Sequence, residues 1–408
     1  MEVLNGKHIV LGVTGSIAAY KAAFLVRLLI KKGAEVQVVM TPAAKEFITP
    51  LTLSTLTRKP VVSEFFDRRD GSWNSHVDLG QWADAMLIAP CTASTLGKMA
   101  SGIADDALTT TFCAMRKPVV IAPAMNSNML ACPATQEAIR TLASWNNVTM
   151  LDCAEGELAC GTTGKGRMQE VDAIVEAARY ALTSKDLAGK QVLITSGPTR
   201  EAIDPVRYLS NHSSGKQGAA LAMSCWRRGA DVTFVTGPSA VEPHIPQLVG
   251  VAQEWRKVSV TSAAEMAQRA MQHFADCDVA ILCAAVADFT PSEVSTEKIK
   301  KQPGQTELTL SLTTTTDIAA ALGAAKHEGQ KLVGFALETC DEEAYALHKL
   351  QSKHLDLIVL NSLQDQGAGF GVDTNKVTLL FANGTKKDVP LQSKEDIANT
   401  IVESIILS

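Results

Sequence analysis

The sequence lacks the features that would assign it to a membrane, a nucleic acid or the cell exterior. No apolar run reaches the roughly 20 residues needed to cross a bilayer, and the opening segment Met1–Lys7 does not have the shape of a secretory signal. No dense basic stripe is present, and the net charge of −5 argues against a nucleic-acid footprint. We therefore expect a cytoplasmic protein with no membrane and no nucleic acid among its partners.

Paired cysteines are also missing. The nine cysteines are scattered along the chain and none of them forms a CxxC pair. This spacing is typical of a reducing compartment and predicts neither a disulfide framework nor a zinc site. At 408 residues the chain is too long for one ordinary core, so two domains are expected.

The two halves of the sequence begin alike. Gly6–Ser16 and Gly189–Pro198 are each a short β-rich apolar run that ends in a glycine-containing turn. A helical stretch follows each run and ends at a glycine, Gly33 or Gly229, directly before the next β-rich run. Strand, helix and strand in this order make a parallel βαβ unit. The fold class predicted is α/β, with two doubly wound, Rossmann-like parallel-sheet domains in tandem.

The domain boundary is predicted near residue 185. A helical pattern over Val171–Leu182 is followed by the polar residues Thr183–Asp186. We therefore expect domains at 1–185 and 186–408.

The second half carries an insertion. Gly6 and Gly33 are 27 positions apart, whereas Gly189 and Gly229 are 40 apart, and the 13 extra residues fall in the polar stretch Pro198–Gly215. This stretch follows a strand, and in open α/β sheets ligands bind at the carboxyl ends of the strands. The alternative is a surface loop that binds nothing.

The first glycine turn predicts a phosphate site. Gly12–Ile17 leads into a helix expected over residues 17–32, whose free amides and the Ser16 hydroxyl can hold a phosphate. The second strand ends in Val36–Pro42 without the acidic residue that NAD-binding folds use for the adenosine ribose. A mononucleotide such as FMN therefore fits better than a dinucleotide, which disfavours the alternative of an NAD-dependent dehydrogenase.

Five segments of the first half carry a resemblance to a known family. They are Gly15–Lys21, His76–Asp84, Ala89–Lys98, Pro123–Met129 and Ala159–Met168. Together they resemble the flavin-containing cysteine decarboxylases from end to end of this half.

The resemblance implies roles for individual residues. His76 is the expected active-site base, Asn126 binds the substrate carboxylate, and Cys160 donates a proton. FMN is expected against Gly15, Ser16, Thr41 and Thr92. Each role has a structural alternative, since a histidine is often a surface residue, an asparagine can cap the following helix, and cysteine is often buried. A flavin is chemically suitable because oxidation of the thiol-bearing carbon provides an electron sink for the departing CO₂.

The second half resembles the phosphopantothenate–cysteine ligases along its whole length. The motifs are Thr195–Glu201, Asp204–Gly218, Ala284–Asp288, Glu297–Lys301 and Gly334–Thr339. By this resemblance Asn211 contacts an acyl-cytidylate intermediate, and Lys298 is needed to turn that intermediate over with cysteine. The CTP site is expected at Ala284, Asp288, Lys298, Asp317, Ile318, Phe335, Lys349 and Lys353.

The ligase chemistry explains these residue types. A carboxylate becomes a good acceptor when CMP is transferred to it, and the pyrophosphate released needs Mg²⁺ and lysines to neutralise its charge. Lys349 and Lys353, four residues apart on a predicted helix, project from one face. The alternative for such lysines is an ordinary solvated surface. The metal ligands are not predicted.

Together the two resemblances imply a bifunctional flavoprotein of coenzyme A biosynthesis. The rival within the same scaffold is a flavin-binding regulatory subunit, whose hallmark would be the loss of Asn126 or Cys160, and both are present. A homo-oligomer is expected, since a trimeric decarboxylase contact combined with a dimeric ligase contact generates a closed assembly as large as a dodecamer. The sequence departs from the family pattern at Cys91, Ser94, Phe289–Thr290, Thr316 and Ser362.

Overall fold

The computed structural model describes residues 2–65, 75–159, 161–239, 241–338, 341–362, 369 and 371–407. The chain forms two compact units. The first comprises Met1–Ser184 together with His244–Ala252, and the second comprises Lys185–Pro243 and Gln253–Ser408.

Residues 2–184 alternate strands and helices, as the βαβ pattern predicts. The strands are β1 (His8–Val13), β2 (Glu35–Met40), β3 (Ala85–Cys91), β4 (Val119–Pro123), β5 (Val148–Leu151), β6 (Ala154–Glu157) and β7 (Thr163–Arg167). The helices are α1 (Lys21–Lys31), α2 (Pro50–Thr57), α3 (His76–Trp82), α4 (Ala93–Ala100), α5 (Ala107–Ala114), α6 (Ser127–Ala131), α7 (Pro133–Ala143) and α8 (Val171–Leu182), with 3-10 turns at Ile17–Tyr20 and Pro42–Glu46.

The remaining residues form a second alternating series. Its strands are β8 (Gln191–Ser196), β9 (Arg200–Ala202), β10 (Tyr208–Ser210), β11 (Asp231–Thr236), β12 (Leu248–Val249), β13 (Trp255–Ser259), β14 (Val279–Leu282), β15 (Phe289–Pro291), β16 (Leu312–Thr314), β17 (Lys331–Glu338), β18 (Leu357–Ser362), β19 (Thr374–Phe381) and β20 (Lys386–Ser393). Its helices are α9 (Lys216–Arg227), α10 (Ala263–Phe274), α11 (Ile318–Ala325), α12 (Glu342–Ser352) and α13 (Lys394–Leu407).

The first unit has a six-stranded sheet in the order β12-β5-β4-β3-β1-β2, parallel except for β12. Successive side chains of β1 enter opposite cores: Ile9 and Leu11 pack in one cluster with residues of α1 and α8, and Val10 packs in another with residues of α4, α5 and α7. Helices thus cover both faces of the sheet, which is the doubly wound arrangement expected.

The second unit has an eight-stranded sheet in the order β13-β11-β8-β14-β17-β18-β19-β20. The strands are parallel from β13 to β18, and β19 and β20 then extend the sheet as an antiparallel hairpin. The predicted α/β class is confirmed, while the antiparallel extension was not anticipated.

Several local expectations are met and one is refined. Gly33 and Gly229 follow α1 and α9 with φ of +88° and +92°, a conformation that glycine adopts at helix ends without strain. The helix expected over Val171–Leu182 is α8. The helix expected over residues 17–32 begins instead as a 3-10 turn, because the Ala19 amide donates to the Ser16 carbonyl three residues back at 2.9 Å, and α1 proper begins at Lys21. Among the described residues, no helix is both long and apolar enough to span a membrane.

Candidate active sites

Four loops meet at the carboxyl edge of the first sheet. Ser16 follows β1, Thr41 follows β2, Thr92 follows β3 and Asn126 follows β4. Because these four strands are adjacent and parallel, their carboxyl ends lie along one edge. The residues predicted to hold FMN therefore share an edge with Asn126.

Short polar caps shape this edge. The Ser16 hydroxyl accepts from the Ala18 amide at 3.3 Å, and the Thr92 hydroxyl accepts from the Thr95 amide at 3.3 Å at the start of α4. Gly15 faces the turn that follows β2, where an added Cβ would lie 2.7 Å from the Ala43 Cβ. Only a glycine allows these two loops to approach so closely.

Thr41 supplies the test of whether a cofactor fits. Its hydroxyl oxygen is buried and has no hydrogen-bond partner among the described residues. An unsatisfied buried hydroxyl costs about 1–3 kcal/mol. A polar ligand group at this edge would remove that cost, so the residues present fit FMN.

A cavity of about 600 Å³ opens at the same edge, within the range of cofactor and small-molecule sites. Its described lining consists of Ser16, Ile17, Ala18, Tyr20, Lys21, Ala124, Met125, Asn126, Glu157, Leu158, Ala159, Gly166, Arg167 and Met168. Ser16 and Asn126, predicted from separate motifs, thus line one cavity.

Two cations that the sequence reasoning did not assign also line this cavity. Lys21 forms an ion pair with Glu170 at 2.9 Å, and Arg167 contacts the same carboxylate at 3.4 Å. Both cations are thus held at the cavity by one carboxylate, where they can also meet an anionic ligand. Sequence reasoning could have assigned Lys21 to the site, because Lys21 is the last residue of the Gly15–Lys21 motif.

The hairpin β6–β7 brings the segment around Cys160 to Asn126. The Met125 amide donates to the Gly166 carbonyl at 3.0 Å, and the Ser127 hydroxyl donates to the Lys165 carbonyl at 2.8 Å. At Gly166, with φ +154°, an added Cβ would lie 2.3 Å from the Met125 oxygen. Cys160 itself lies outside the described residues.

Asn126 also performs the capping role considered as its alternative. It is the N-cap of α6, and its Oδ1 accepts from the Asn128 amide at 2.9 Å. Capping and lining the cavity are therefore compatible at this position.

The structure does not bring His76 to this cavity. His76 is the first residue of α3, and the preceding Ser75 caps that helix by accepting from the Asp78 amide at 3.1 Å. Among the described residues of one chain, His76 is not part of the cavity lining.

The second unit has its own cavity, of about 400 Å³, at the carboxyl edge of β14 and β17. Seven of the eight residues predicted for CTP line it, namely Ala284, Asp288, Asp317, Ile318, Phe335, Lys349 and Lys353. The exception is Lys298, which is exposed and lies outside the lining.

Asp317 and Lys353 face each other in this cavity. Asp317 caps α11 by accepting from the Ala320 amide at 3.0 Å, and its other oxygen lies 2.8 Å from the Lys353 ammonium. Burial opposes ionisation of Asp317, but Lys353 and the helix amides outweigh it and lower the pKa of the carboxyl. Lys353 follows the last residue of α12, so it reaches the cavity from the helix end and not from the helical face predicted.

The insertion in the second half is a small antiparallel ribbon, β9–β10. Asn211 follows it, and its side-chain amide donates to the carbonyls of Val286 at 3.1 Å and Ala285 at 3.3 Å. Asn211 is thereby tied to the segment of Val286, which lines the cavity of about 400 Å³.

A buried carboxylate in the ribbon connects it to the segment of Lys298. Asp204 accepts from the Ile299 amide at 3.1 Å and from the Arg207 guanidinium at 2.9 Å, and Arg207 donates to the Ile299 carbonyl at 2.6 Å. The Arg207 guanidinium, with the backbone amides of Val206, Ile299 and Arg207, holds the pKa of Asp204 well below its ordinary value. Sequence reasoning missed this pair, although both residues lie in the Asp204–Gly218 motif.

A smaller cavity of about 150 Å³ adjoins the cavity of about 400 Å³ and shares Ala284 and Phe335 with it. The motif residues Ser213–Gly218 at the start of α9 line it together with Lys394. Lys216 forms an ion pair with Asp373 at 2.6 Å at the same place. Backbone amides and two lysines here suit a phosphate chain.

Two family models together match nearly all of the chain. The model described as Flavoprotein matches residues 2–182, and the model described as DNA/pantothenate metabolism flavoprotein C-terminal domain matches residues 187–407.

Among curated proteins, the chain is 45% identical over 406 residues to the coenzyme A biosynthesis bifunctional protein CoaBC of Bacillus subtilis (strain 168), covering 99% of this chain and 97% of that protein. It is 49% identical over 364 residues to a cysteine/cysteine sulfinic acid decarboxylase of an unknown prokaryotic organism, covering 88% of this chain and 99% of that protein. Among solved structures, the C-terminal domain of a coenzyme A biosynthesis bifunctional protein CoaBC is 37% identical, with a TM-score of 0.45, and the match covers 55% of this chain and 97% of that one.

Close packing at Gly323 of α11 generates a prediction about the stability of the second unit. A Cβ at Gly323 would lie 2.0 Å from the Lys353 carbonyl oxygen, which is backbone and cannot move aside easily. We expect Gly323→Ala to destabilise the second unit by about 1–3 kcal/mol through overpacking. The control is Gly97→Ala in α4, where an added methyl meets no atom within 4 Å and should be neutral or stabilising. Thermal unfolding of both variants measures this, and an unchanged midpoint for Gly323→Ala would contradict the packing described.

Proposed function

The chain belongs to the family of coenzyme A biosynthesis bifunctional proteins, and from that premise we propose that its halves catalyse consecutive reactions. The second half joins 4′-phosphopantothenate to cysteine at the expense of CTP, and the first half decarboxylates the product with FMN. The protein is thus a bifunctional ligase and decarboxylase of coenzyme A biosynthesis. The observation that carries the proposal is one chain with two cavities, one lined by Ser16 and Asn126 and the other by seven of the eight residues expected at CTP.

In the proposed ligase half, the main role of the protein's lysines and of Mg²⁺ is to neutralise the charge of the phosphates. Attack of the substrate carboxylate on the α-phosphorus of CTP forms the acyl-cytidylate and releases pyrophosphate. Lys349 and Lys353 in the nucleotide cavity, and Lys216 beside it, are placed to balance the phosphate charge. We propose that Mg²⁺ arrives bound to the triphosphate, as is usual where nucleotide phosphates supply ligands for this ion.

Asn211 and Lys298 are the proposed groups for the second step. The cysteine amine displaces CMP from the acyl carbon, and negative charge develops on the acyl oxygen. Asn211 stands fixed beside the cavity, whereas Lys298 is exposed on a segment held by Asp204 and Arg207. We propose that this segment carries Lys298 to the bound intermediate.

In the proposed decarboxylase half, the protein would bind FMN and the acyl-cysteine and orient them for reaction. Gly15, Ser16, Thr41 and Thr92 would hold FMN, which supplies oxidation of the thiol-bearing carbon. Asn126, which lines the same cavity as Ser16, would bind the departing carboxylate. Cys160, which lies between β6 and β7 in the sequence, would return the proton.

Cys153, which lies seven residues before Cys160 in the sequence, is not an alternative proton donor. Burial is the main cause that raises the pKa of its thiol to about 12. The thiol points into the core, where it donates to the Pro123 carbonyl at 3.6 Å.

The position of His76 supports a homo-oligomer. His76 is not on the cavity of its own chain, so in this proposal it acts at the cavity of another copy. Ile17, Tyr20 and Phe24 are 60%, 53% and 59% exposed next to that cavity, and such clustered apolar exposure is typical of an interface. An assembly as large as a dodecamer remains our proposal for the whole protein.

The domain boundaries proposed are 1–185 and 186–408. The two family models end at residue 182 and begin at residue 187.

A second candidate function is decarboxylation of cysteine or cysteine sulfinic acid themselves. It is favoured by the identity of 49% to a decarboxylase named for those substrates. Lys21 and Arg167 on the cavity could accept a small dianion as readily as a phosphorylated acyl-cysteine. The two candidates differ in the substrate and share the flavin half.

One experiment decides between these functions. We expect the purified protein, given 4′-phosphopantothenate, cysteine, CTP and Mg²⁺, to form 4′-phosphopantetheine, CMP and pyrophosphate, followed by mass spectrometry. Omitting CTP should abolish amide formation, because the carboxylate is then not activated. Release of CO₂ from cysteine or cysteine sulfinic acid alone, with no phosphopantetheine in the complete mixture, would replace this function with the second candidate.

Cys160→Ala tests the proposed proton donor. Without the donor, CO₂ should still leave the acyl-cysteine, but the product should remain the oxidised enethiol, two mass units below 4′-phosphopantetheine, with the two electrons left on the flavin. Loss of a positioned acid typically costs about 10²–10⁴-fold in the assisted step. Cys132→Ala, at an exposed cysteine before α7, is the matched control. A normal rate of 4′-phosphopantetheine formation by Cys160→Ala would assign the proton to another group.

Lys298→Gln tests the division of the ligase reaction. The variant should still form the acyl-cytidylate when cysteine is omitted, and its amide formation should fall by about 10²–10³-fold, the usual cost of one lost charge at a developing oxyanion. The cytidylate is measured directly by mass. Normal coupling to cysteine would return Lys298 to an ordinary surface role.

Asn211→Asp serves as the comparison for Lys298→Gln. It puts a negative charge beside an anionic intermediate, so the acyl-cytidylate itself should be lost. Decarboxylation of pre-made acyl-cysteine should be unchanged in both variants, because the first half carries that reaction. Loss of both activities would indicate misfolding and not a chemical role.

A further inference from the structure

Strand β5 would be an edge of the first sheet if residues 2–184 stood alone. The short strand β12 covers it, pairing antiparallel with Leu248 opposite Leu151 and Val249 opposite Met150. The Asp152 amide extends the ladder by donating to the Gln247 carbonyl at 2.8 Å. Unpaired edge strands expose backbone donors and acceptors, so this pairing satisfies groups that would otherwise be open.

The side chains of β12 are part of the first unit's cores. Leu248 packs against the cluster that contains residues of α1 and α8, and Val249 packs against the cluster on the other face of the sheet. Such alternation is that of a true sheet strand, which contributes to both faces. Val251, two residues further, is 37% exposed.

The segment leaves the second unit and returns to it within a few residues. Pro243 and Gln253 belong to the second unit, and His244–Ala252 belong to the first. On return, the Gln253 side-chain amide donates to the carbonyls of Trp226 at 2.8 Å and Ala230 at 2.6 Å. We call residues 244–252 the arm.

Asp152 connects the arm to the hairpin that carries Cys160. Its carboxylate forms an ion pair with Lys165 of β7 and accepts from the Cys153 amide at 2.8 Å. Its carbonyl accepts from the Gln169 side chain at 3.1 Å. The residue paired with the arm therefore also holds the base of the β6–β7 hairpin.

We propose that the arm is a structural part of the decarboxylase half, although it lies within the sequence of the ligase half. By pairing with β5 it fixes Asp152, and through Lys165 it holds the β6–β7 hairpin against the cavity. Decarboxylation consequently depends on a segment from beyond the predicted boundary at residue 185. The activity part of this inference rests on the proposed function of the first half, and the structural part does not.

The test is the double variant Leu248→Asp/Val249→Asp in the full-length protein, with hydrogen exchange as the first measurement. Two carboxylates cannot enter the apolar cores, so the arm should detach. Exchange at the amides of residues 150–152 should speed up about tenfold or more, and exchange over residues 154–167 should rise with it. Decarboxylation of supplied acyl-cysteine should fall about tenfold or more by the same loss of order, while ligation stays within about twofold.

Val251→Asp is the matched control, since it adds a carboxylate to the arm at an exposed position and should change none of these measurements. Leu248→Ala is the milder variant in case the double variant does not fold, and it should give a smaller change in the same direction.

Unchanged exchange at residues 150–152 in the double variant would overturn the docking of the arm, whatever the activity. Faster exchange there with normal exchange and decarboxylation at the hairpin would overturn the link through Asp152. Absence of decarboxylation in the parent protein would count against the proposed function alone, because exchange still decides the docking.

Discussion

The parallel pairing of buried strands is the constraint on which both sites depend. Strand β1 pairs in register with β2 and β3, and β8 pairs with β11 and β14. Parallel strands end at the same edge of a sheet, so the chain must leave each strand into a loop at that edge. The loops after β1–β4 gather there in the first unit, and the loops after β8 and β14 gather there in the second. The chemistry of each half is the chemistry of those loops.

Much of this could be predicted from the sequence, because the signals are local. Helix-ending glycines at Gly33 and Gly229 mark the repeated βαβ units, since a positive φ there requires only the neighbouring residues. The periodicity over Val171–Leu182 gave a helix with those bounds. Seven residues expected at CTP line one cavity. Ala284 and Asp288 follow β14, and Asp317 and Ile318 begin α11, so these four lie where ligands of parallel sheets are expected.

What could not be predicted depends on contacts between distant residues. Asp204 meets Ile299, 95 positions away, and Lys21 meets Glu170, 149 positions away. Neither pair has a sequence pattern, because each arises only when folded loops converge. His76 is a different case. Its role stays a prediction, and its absence from the cavity lining of its own chain could not be predicted because local spacing does not fix how α3 lies relative to that cavity.

The two edges of the first sheet are covered in different ways, and the difference bears on why the halves are joined. At the β2 edge, the covering residue is Val62, only 22 positions after Met40. Its carbonyl accepts from the Met40 amide at 2.8 Å, and its amide donates to the Val38 carbonyl at 3.0 Å. At the β5 edge, the cover is Leu248, 97 positions from Leu151. Closing a longer loop costs more entropy, but the cost grows only slowly with length. The residues that flank the arm, Pro243 and Gln253, belong to the folded second unit, which lowers the conformational entropy left to lose when the arm pairs. A first half on its own would expose β5, so a fused chain protects an edge that would otherwise invite aggregation.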